Sequence, residues 1–164
     1  MDRAAMVASL ARVLGEKSRR TKVAMMFVDS QPGAAIVERL HTLGYDNVQE
    51  VSFAGKSADP GYANKRAQMW GKDLREWLGR GAIDPNDAVL RKQLSAPGFQ
   101  YRVGGDGALV VESKADMKKR GVASPDDADA LALTFAYPVV AERNTEPEGN
   151  YGQRRPKSDS NWMR

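Results

Sequence analysis

Apolar and polar positions follow two periods along this chain. Met6, Val7, Leu10, Val13 and Leu14 recur at helical spacing, and the pattern closes at Gly15, so an amphipathic helix is predicted over 3–15. Residues 23–28 form an unbroken apolar run, the pattern of a strand covered on both faces. That run stops at Asp29. Ser30-Gln31-Pro32-Gly33 then has turn chemistry, and a helix is predicted over 34–43, with Ile36, Val37, Leu40 and Leu43 on one face and Gly44 ending it. Residues 48–53 alternate as a second strand. Strand, helix and strand in this order predict a βαβ unit with parallel strands and a right-handed crossover.

Further along, Ala67, Trp70, Leu74, Trp77 and Leu78 make one stripe of a helix over 63–78. Its tryptophans read as core residues rather than as a platform for stacking bases. Asp84-Pro85-Asn86 opens a short helix to about residue 94, and Pro97-Gly98 breaks it. Residues 99–103 and 108–112 predict a hairpin around Gly104-Gly105-Asp106-Gly107. That turn is no phosphate loop: it joins two strands and lacks a Gly-Lys-Ser/Thr ending. A short basic helix is predicted over 114–120. The last helix is expected to start with Ser124 as cap, Pro125 in the first position and Asp127 completing the cap, and to bury Leu131, Leu133, Phe135 and Val139. Past Ala141 the chain turns polar and rich in Pro and Gly. The expected organisation is one domain over 1–141 and a disordered tail over 142–164.

Composition narrows the partners. A 164-residue chain with 41% hydrophobic and 28% charged residues suits one soluble domain with a core. No apolar run could span a bilayer, and the N-terminus has no signal-peptide pattern, so a cytoplasmic protein without a membrane partner is expected. The absence of cysteine excludes disulfides and thiolate metal sites. Lys and Arg total 25 against 21 for Asp and Glu, a net charge of +4 that tilts the chain mildly towards anionic partners. The basic residues concentrate in two clusters: Lys17, Arg19, Arg20 and Lys22, then Lys114, Lys118, Lys119 and Arg120. Each cluster reads first as solvated surface and second as phosphate contacts.

The candidate chemistry is carboxylate chemistry. His41 is the single histidine, expected on a helix surface without a partner. One histidine and no cysteine leave little room for a histidine triad or a zinc site. Asp29 closes a strand at the end where open α/β sheets collect ligands. Asp126 and Asp129, three residues apart, share a helix face. Such a set suits hard divalent cations. The plainer alternative stays open: Asp29 caps the next helix, and acidic residues simply favour a helix N-terminus. Spacing does not rank Asp127 against Asp129 as the neighbour that assists Asp126.

The ordered stretches "FVDSQPGAAIVERLHTLGY", "NKRAQMWGKDLREWLGRGAI" and "VVESKADMKKRGVASPDDADALALTFA" resemble the nuclease domain of tailed-phage terminase large subunits, over about residues 3–141. The resemblance implies an α/β, RNase H-like (RuvC-like) nuclease fold, incomplete and lacking the first strands of its sheet. It implies endonucleolytic cleavage of concatemeric double-stranded DNA during packaging, with Mg²⁺ or Mn²⁺ held by Asp29, Asp126 and Asp129. Lys114, Lys118, Lys119 and Arg120 would then approach the DNA. The family's first catalytic aspartate has no counterpart upstream of Asp29 here. The resemblance therefore implies weak independent cleavage, an open edge on the first strand, and a separate chain carrying the missing strands or the ATPase domain. Terminase small subunit and portal are the other partners it implies. The competing readings are a catalytically silent DNA- or protein-binding module of a packaging complex and a small-molecule-binding α/β domain. The absence of any glycine-rich nucleotide loop disfavours the last.

Overall fold

The computed structural model describes residues 2–16 and 22–140 as a mixed α/β protein. Helix α1 (Arg3–Leu14) precedes strand β1 (Met26–Asp29), helix α2 (Ser30–Thr42) and strand β2 (Val48–Val51). β1 and β2 are parallel, with Met26 opposite Val48 and Asp29 opposite Val51. The βαβ unit read from the pattern is therefore present. Its details differ from expectation in two places.

The expected turn at residues 30–33 is the first turn of α2, because Asp29 acts as its N-cap and its Oδ1 accepts the Gln31 N–H at 3.3 Å. Proline is tolerated there, since the first N–H groups of a helix have no intrahelical partner. β1 packs against apolar residues on both faces, as the unbroken run predicts, but its own residues are only half-buried, and β2 is its single strand neighbour among the described residues.

Successive strand residues point to opposite faces, and the two faces found two cores. Met26, Val28 and Val48 pack with Val7 and Leu14 of α1 and with Ile36, Val37 and Leu40 of α2. Phe27 and Val51 pack on the other side with Ala67, Trp70, Leu74, Val111, Ala128 and Ala132. Asp29 lies two residues beyond Phe27 and so on the face of this second core. Gly33 sets the approach of α2: a Cβ there would lie 2.4 Å from Val28 Cγ1.

The second core is built from the rest of the chain. Helix α3 (Lys65–Gln68) runs through a π-helical turn (Met69–Leu74) into α4 (Arg75–Leu78). Trp70 and Leu74 are buried as the stripe predicts, while Leu78 at the helix end is exposed. Helix α5 (Ala88–Leu94) starts later than expected, capped by Asp87, whose side chain accepts from Leu90 N–H. Strands β3 (Phe99–Tyr101) and β4 (Leu109–Val111) form the expected antiparallel hairpin, and β4 bridges Tyr62 on its other side. Helix α6 (Lys114–Lys119) is capped by Ser113, and helix α7 (Asp126–Leu133) follows. α7 ends before Val139, which is exposed. The proposed tail, 142–164, lies outside the described residues. No described helix is long and apolar enough to cross a membrane.

One charged clip ties the hairpin to α6. Glu112 accepts two bonds from Arg120, each 2.7 Å, and one from Gly98 N–H at 2.8 Å, and Arg120 also donates to the Ala96 carbonyl. The guanidinium, helped by the Gly98 amide, holds the Glu112 carboxyl down at about 2 against its usual 4.5. A depressed acid stabilises the fold above its unfolded value, and that contribution fades as pH falls from 4.5 towards about 2.

Two outcomes are expected. Gly33→Ala should cost about 1–3 kcal/mol by overpacking against Val28, read from urea unfolding, and Val28→Ala in the same chain should recover part of it. Glu112→Gln should lower the urea midpoint at neutral pH, and its gap from the parent should close as pH falls from 4.5 towards about 2.

Candidate functional site

The C-terminal end of β1, the segment after β2, the start of α3 and the β4–α6 junction surround a cleft of about 470 Å³. Asp29, Gln31, Asn64, Arg66, Ser113 and Lys114 are among its walls. Asn64 caps α3 by accepting the Ala67 N–H at 2.8 Å, and this fixes where Arg66 leaves the helix.

Behind Arg66 lies a buried and tightly held charge, Asp129. Asp129 is 3% exposed. Its Oδ1 accepts from Arg66 Nε at 3.0 Å and from the Trp70 indole N–H at 2.9 Å. Arg66 Nη1 donates on to the Glu112 carbonyl at 2.8 Å, and the guanidinium lies 5.6 Å from the Trp70 ring centre. The other carboxylate oxygen, Oδ2, is buried and receives no aligned hydrogen bond. The Lys114 ammonium stands 3.0 Å from it.

Lys114 also donates to Asp126 Oδ1 at 3.1 Å, so its ammonium bridges the two aspartates of α7. Burial alone would lower the Lys114 pKa, but the Asp129 and Asp126 carboxylates outweigh it and hold it above the usual value. Asp126 is pulled below the usual carboxylate range by the Ser124 hydroxyl, 2.6 Å away, and then by Lys114. The structure thus brings Asp126 and Asp129 together as the spacing requires, with a lysine between them. Asp29 reaches the same cleft as Lys114 while capping α2.

Asp127 stands apart. The expected Ser124–Asp127 cap does not form, because Ser124 turns to Asp126 and Pro125 occupies the cap position. α7 is capped from α5 instead: Gln93 Oε1 accepts from the Asp127 and Ala128 N–H groups at 2.7 and 3.0 Å, and Gln93 Nε2 donates to Asp127 at 2.9 Å. His41 is not partnerless either; its Nε2 lies 2.8 Å from the Val48 carbonyl and links α2 to β2.

The basic clusters divide. Lys119 pairs with Asp116 at 2.7 Å and Arg120 with Glu112, while Lys118 is exposed with no ion pair among the described residues. Of the first cluster, Lys17, Arg19 and Arg20 lie outside the described residues.

Arg66, Trp70 and Gln93 carry roles that the pattern did not reveal. Arg66 and Trp70 are four residues apart in "NKRAQMW", a spacing that hints at a shared face. Their common acceptor, 59 or more residues away, left no local signal.

No family model matches this chain, and no curated protein matches it.

The cation set that the terminase resemblance implies can be tested against these contacts. Asp129 Oδ1 already accepts two bonds, and the ground between Asp126 and Asp129 is taken by an ammonium. Among the described residues no three His, Asp or Glu side chains gather as a metal-holding group. The residues as arranged do not fit a pair of divalent cations.

Removing one partner from a buried ion pair strands the other charge. Arg66→Met should therefore cost about 3–5 kcal/mol in urea unfolding, and the double change Arg66→Met with Asp129→Leu should recover a large part of it.

Proposed function

We propose that this chain is a terminase-type nuclease-domain relative that binds DNA and does not cut it by itself. The RNase H-like fold is part of this proposal. What supports it is the order of motifs, the parallel β1–α2–β2 unit, and a cleft at the C-terminal end of β1 where Asp29 and Lys114 share a wall. The observation that carries the silent reading is the Lys114 ammonium, 3.1 Å from Asp126 and 3.0 Å from Asp129. Those carboxylates are spent on protein cations rather than left to gather divalent ones.

Lys118 and the half-exposed Lys114 would offer charge to phosphates. The edge of β1 that no strand among the described residues pairs with would suit a strand supplied by a partner chain of a packaging complex. Metal-dependent cutting is the second reading, favoured by the placement of Asp29 on the cleft.

The test combines binding and cleavage. Fluorescence anisotropy with duplex DNA should show affinity falling roughly 10- to 40-fold between about 50 and 200 mM salt, as expected for two or three phosphate contacts. Plasmid incubated with Mn²⁺ and the folded chain should stay intact, with the parent and Asp29→Asn alike. Absence of DNA binding at low salt overturns the proposal. Mn²⁺-dependent nicking that disappears in Asp29→Asn replaces it with the cutting reading.

A further inference from the structure

We propose that strand β3 is a self-association edge, along which two copies of this chain pair antiparallel into one sheet. The hydrogen bonds of the hairpin show which backbone groups could do so. Arg102 N–H donates to the Ala108 carbonyl at 3.0 Å, and Glu112 N–H to the Gly98 carbonyl at 2.8 Å. In that ladder Phe99 with Val111 and Tyr101 with Leu109 are the pairs that exchange no bonds. Leu109 agrees: its N–H and carbonyl turn away from β3, to Gly61 and Ala63. The N–H and carbonyl groups of Phe99 and Tyr101 therefore point off the other side of the hairpin, where no described strand lies.

Phe99 and Tyr101 share the sheet face of Val111 and Leu109, which enter the second core, yet they are 52% and 70% exposed. β3 thus carries an apolar face past the core it belongs to. A second copy, related by a two-fold axis at Gln100, meets both needs. Phe99 then stands opposite Tyr101 of the second copy and exchanges both main-chain bonds with it, and symmetry repeats the pair. Aromatic side chains so placed across strands attract one another.

Charge agrees with this register. Arg102 would face Gly98 of the second copy, where no side chain bars it. The Glu112 carboxylate lies over Gly98, with Oε2 3.3 Å from where a Cβ would stand. Glu112 and Asp116 line the cleft of about 780 Å³ beside Gly98, and Arg120 is the one cation in its described lining. An arriving Arg102 meets a wall with more acid than base. Its present mate, Asp106, holds it only by an exposed contact of 3.3 Å. The other side of β4 is already bridged to Tyr62, so pairing at this edge gives dimers rather than longer chains. This association is independent of the DNA-binding reading.

Sedimentation velocity of the full chain between about 5 μM and 1 mM should show reversible dimerisation with Kd on the order of 100 μM, since so short an edge buries little area. Tyr101→Pro removes an outward N–H and no bond of the hairpin, and Tyr101→Lys puts a charge on the edge. Both should weaken the dimer about tenfold or more, with circular dichroism unchanged. Leu43→Lys, which alters an exposed apolar residue just past α2, should associate as the parent does. The chain has no cysteine, so Gln100→Cys places its only thiol on the two-fold axis. Air oxidation should link two copies through it. Val103→Cys, exposed but off the axis, should stay unlinked. Three results overturn the proposal: a parent that is monomeric throughout, folded Tyr101→Pro and Tyr101→Lys that both associate as the parent does, or Val103→Cys linking as readily as Gln100→Cys.

Discussion

A buried carboxylate dictates much of this structure. Asp129 sits in the core with almost no access to water, and an ionised group there needs several compensating partners. It takes Arg66 from α3, Trp70 from the π-helical turn that follows α3, and Lys114 from α6. Arg66 in turn reaches the Glu112 carbonyl just past β4. A single side chain on α7 therefore fixes the separation and rotation of three other elements. Apolar contacts alone would tolerate some sliding between α7 and the α3–α4 helix. A shared oxygen with donors at 2.9 and 3.0 Å tolerates little.

That anchor sits beside, not inside, the open cleft. Arg66 lines the cleft with one part of its side chain and grips Asp129 with another. Lys114 does the same between the cleft and the α7 aspartates. The two cations that face the cleft are thus held by the two acids behind it. This arrangement gives the cleft wall positive residues with fixed positions and leaves Asp29 as the nearest carboxylate on its rim. In the proposed DNA-binding role, a phosphate would meet Lys114, whose charge is shared with Asp126 and Asp129. That physical logic underlies the preference for binding over cutting.

The π-helical turn lies at the same junction, since it carries Trp70. Met69–Leu74 carries both Trp70 and Gly71, and a side chain on Gly71 would come within 2.8 Å of the Tyr62 ring and 3.0 Å of Leu109. Close packing against β4 and the reach of Trp70 towards Asp129 meet within this one turn. Turns of this kind interrupt regular helices at points of special demand. The residues on either side continue as ordinary α-helix, so the irregularity is local to the contact.

The sequence by itself determined the local elements. The periodicity of α1, the β1–α2–β2 unit, the hairpin around residues 104–107 and the helix expected over 63–78 were legible, although that helix starts at Lys65. These depend on neighbours a few residues apart, where apolar spacing, caps and glycines act directly. The pairing of Asp126 with Asp129 was legible for the same reason. What the tertiary structure decided is what occupies the space around them. Arg66 is 63 residues from Asp129, and Gln93 is 34 from the helix end it caps. Asp29 caps α2 although its strand position also suited a ligand, and that cap makes residues 30–33 the first turn of the helix. Sequence names the charged groups within one turn, but only packing brings distant charges together in a medium where they must be neutralised.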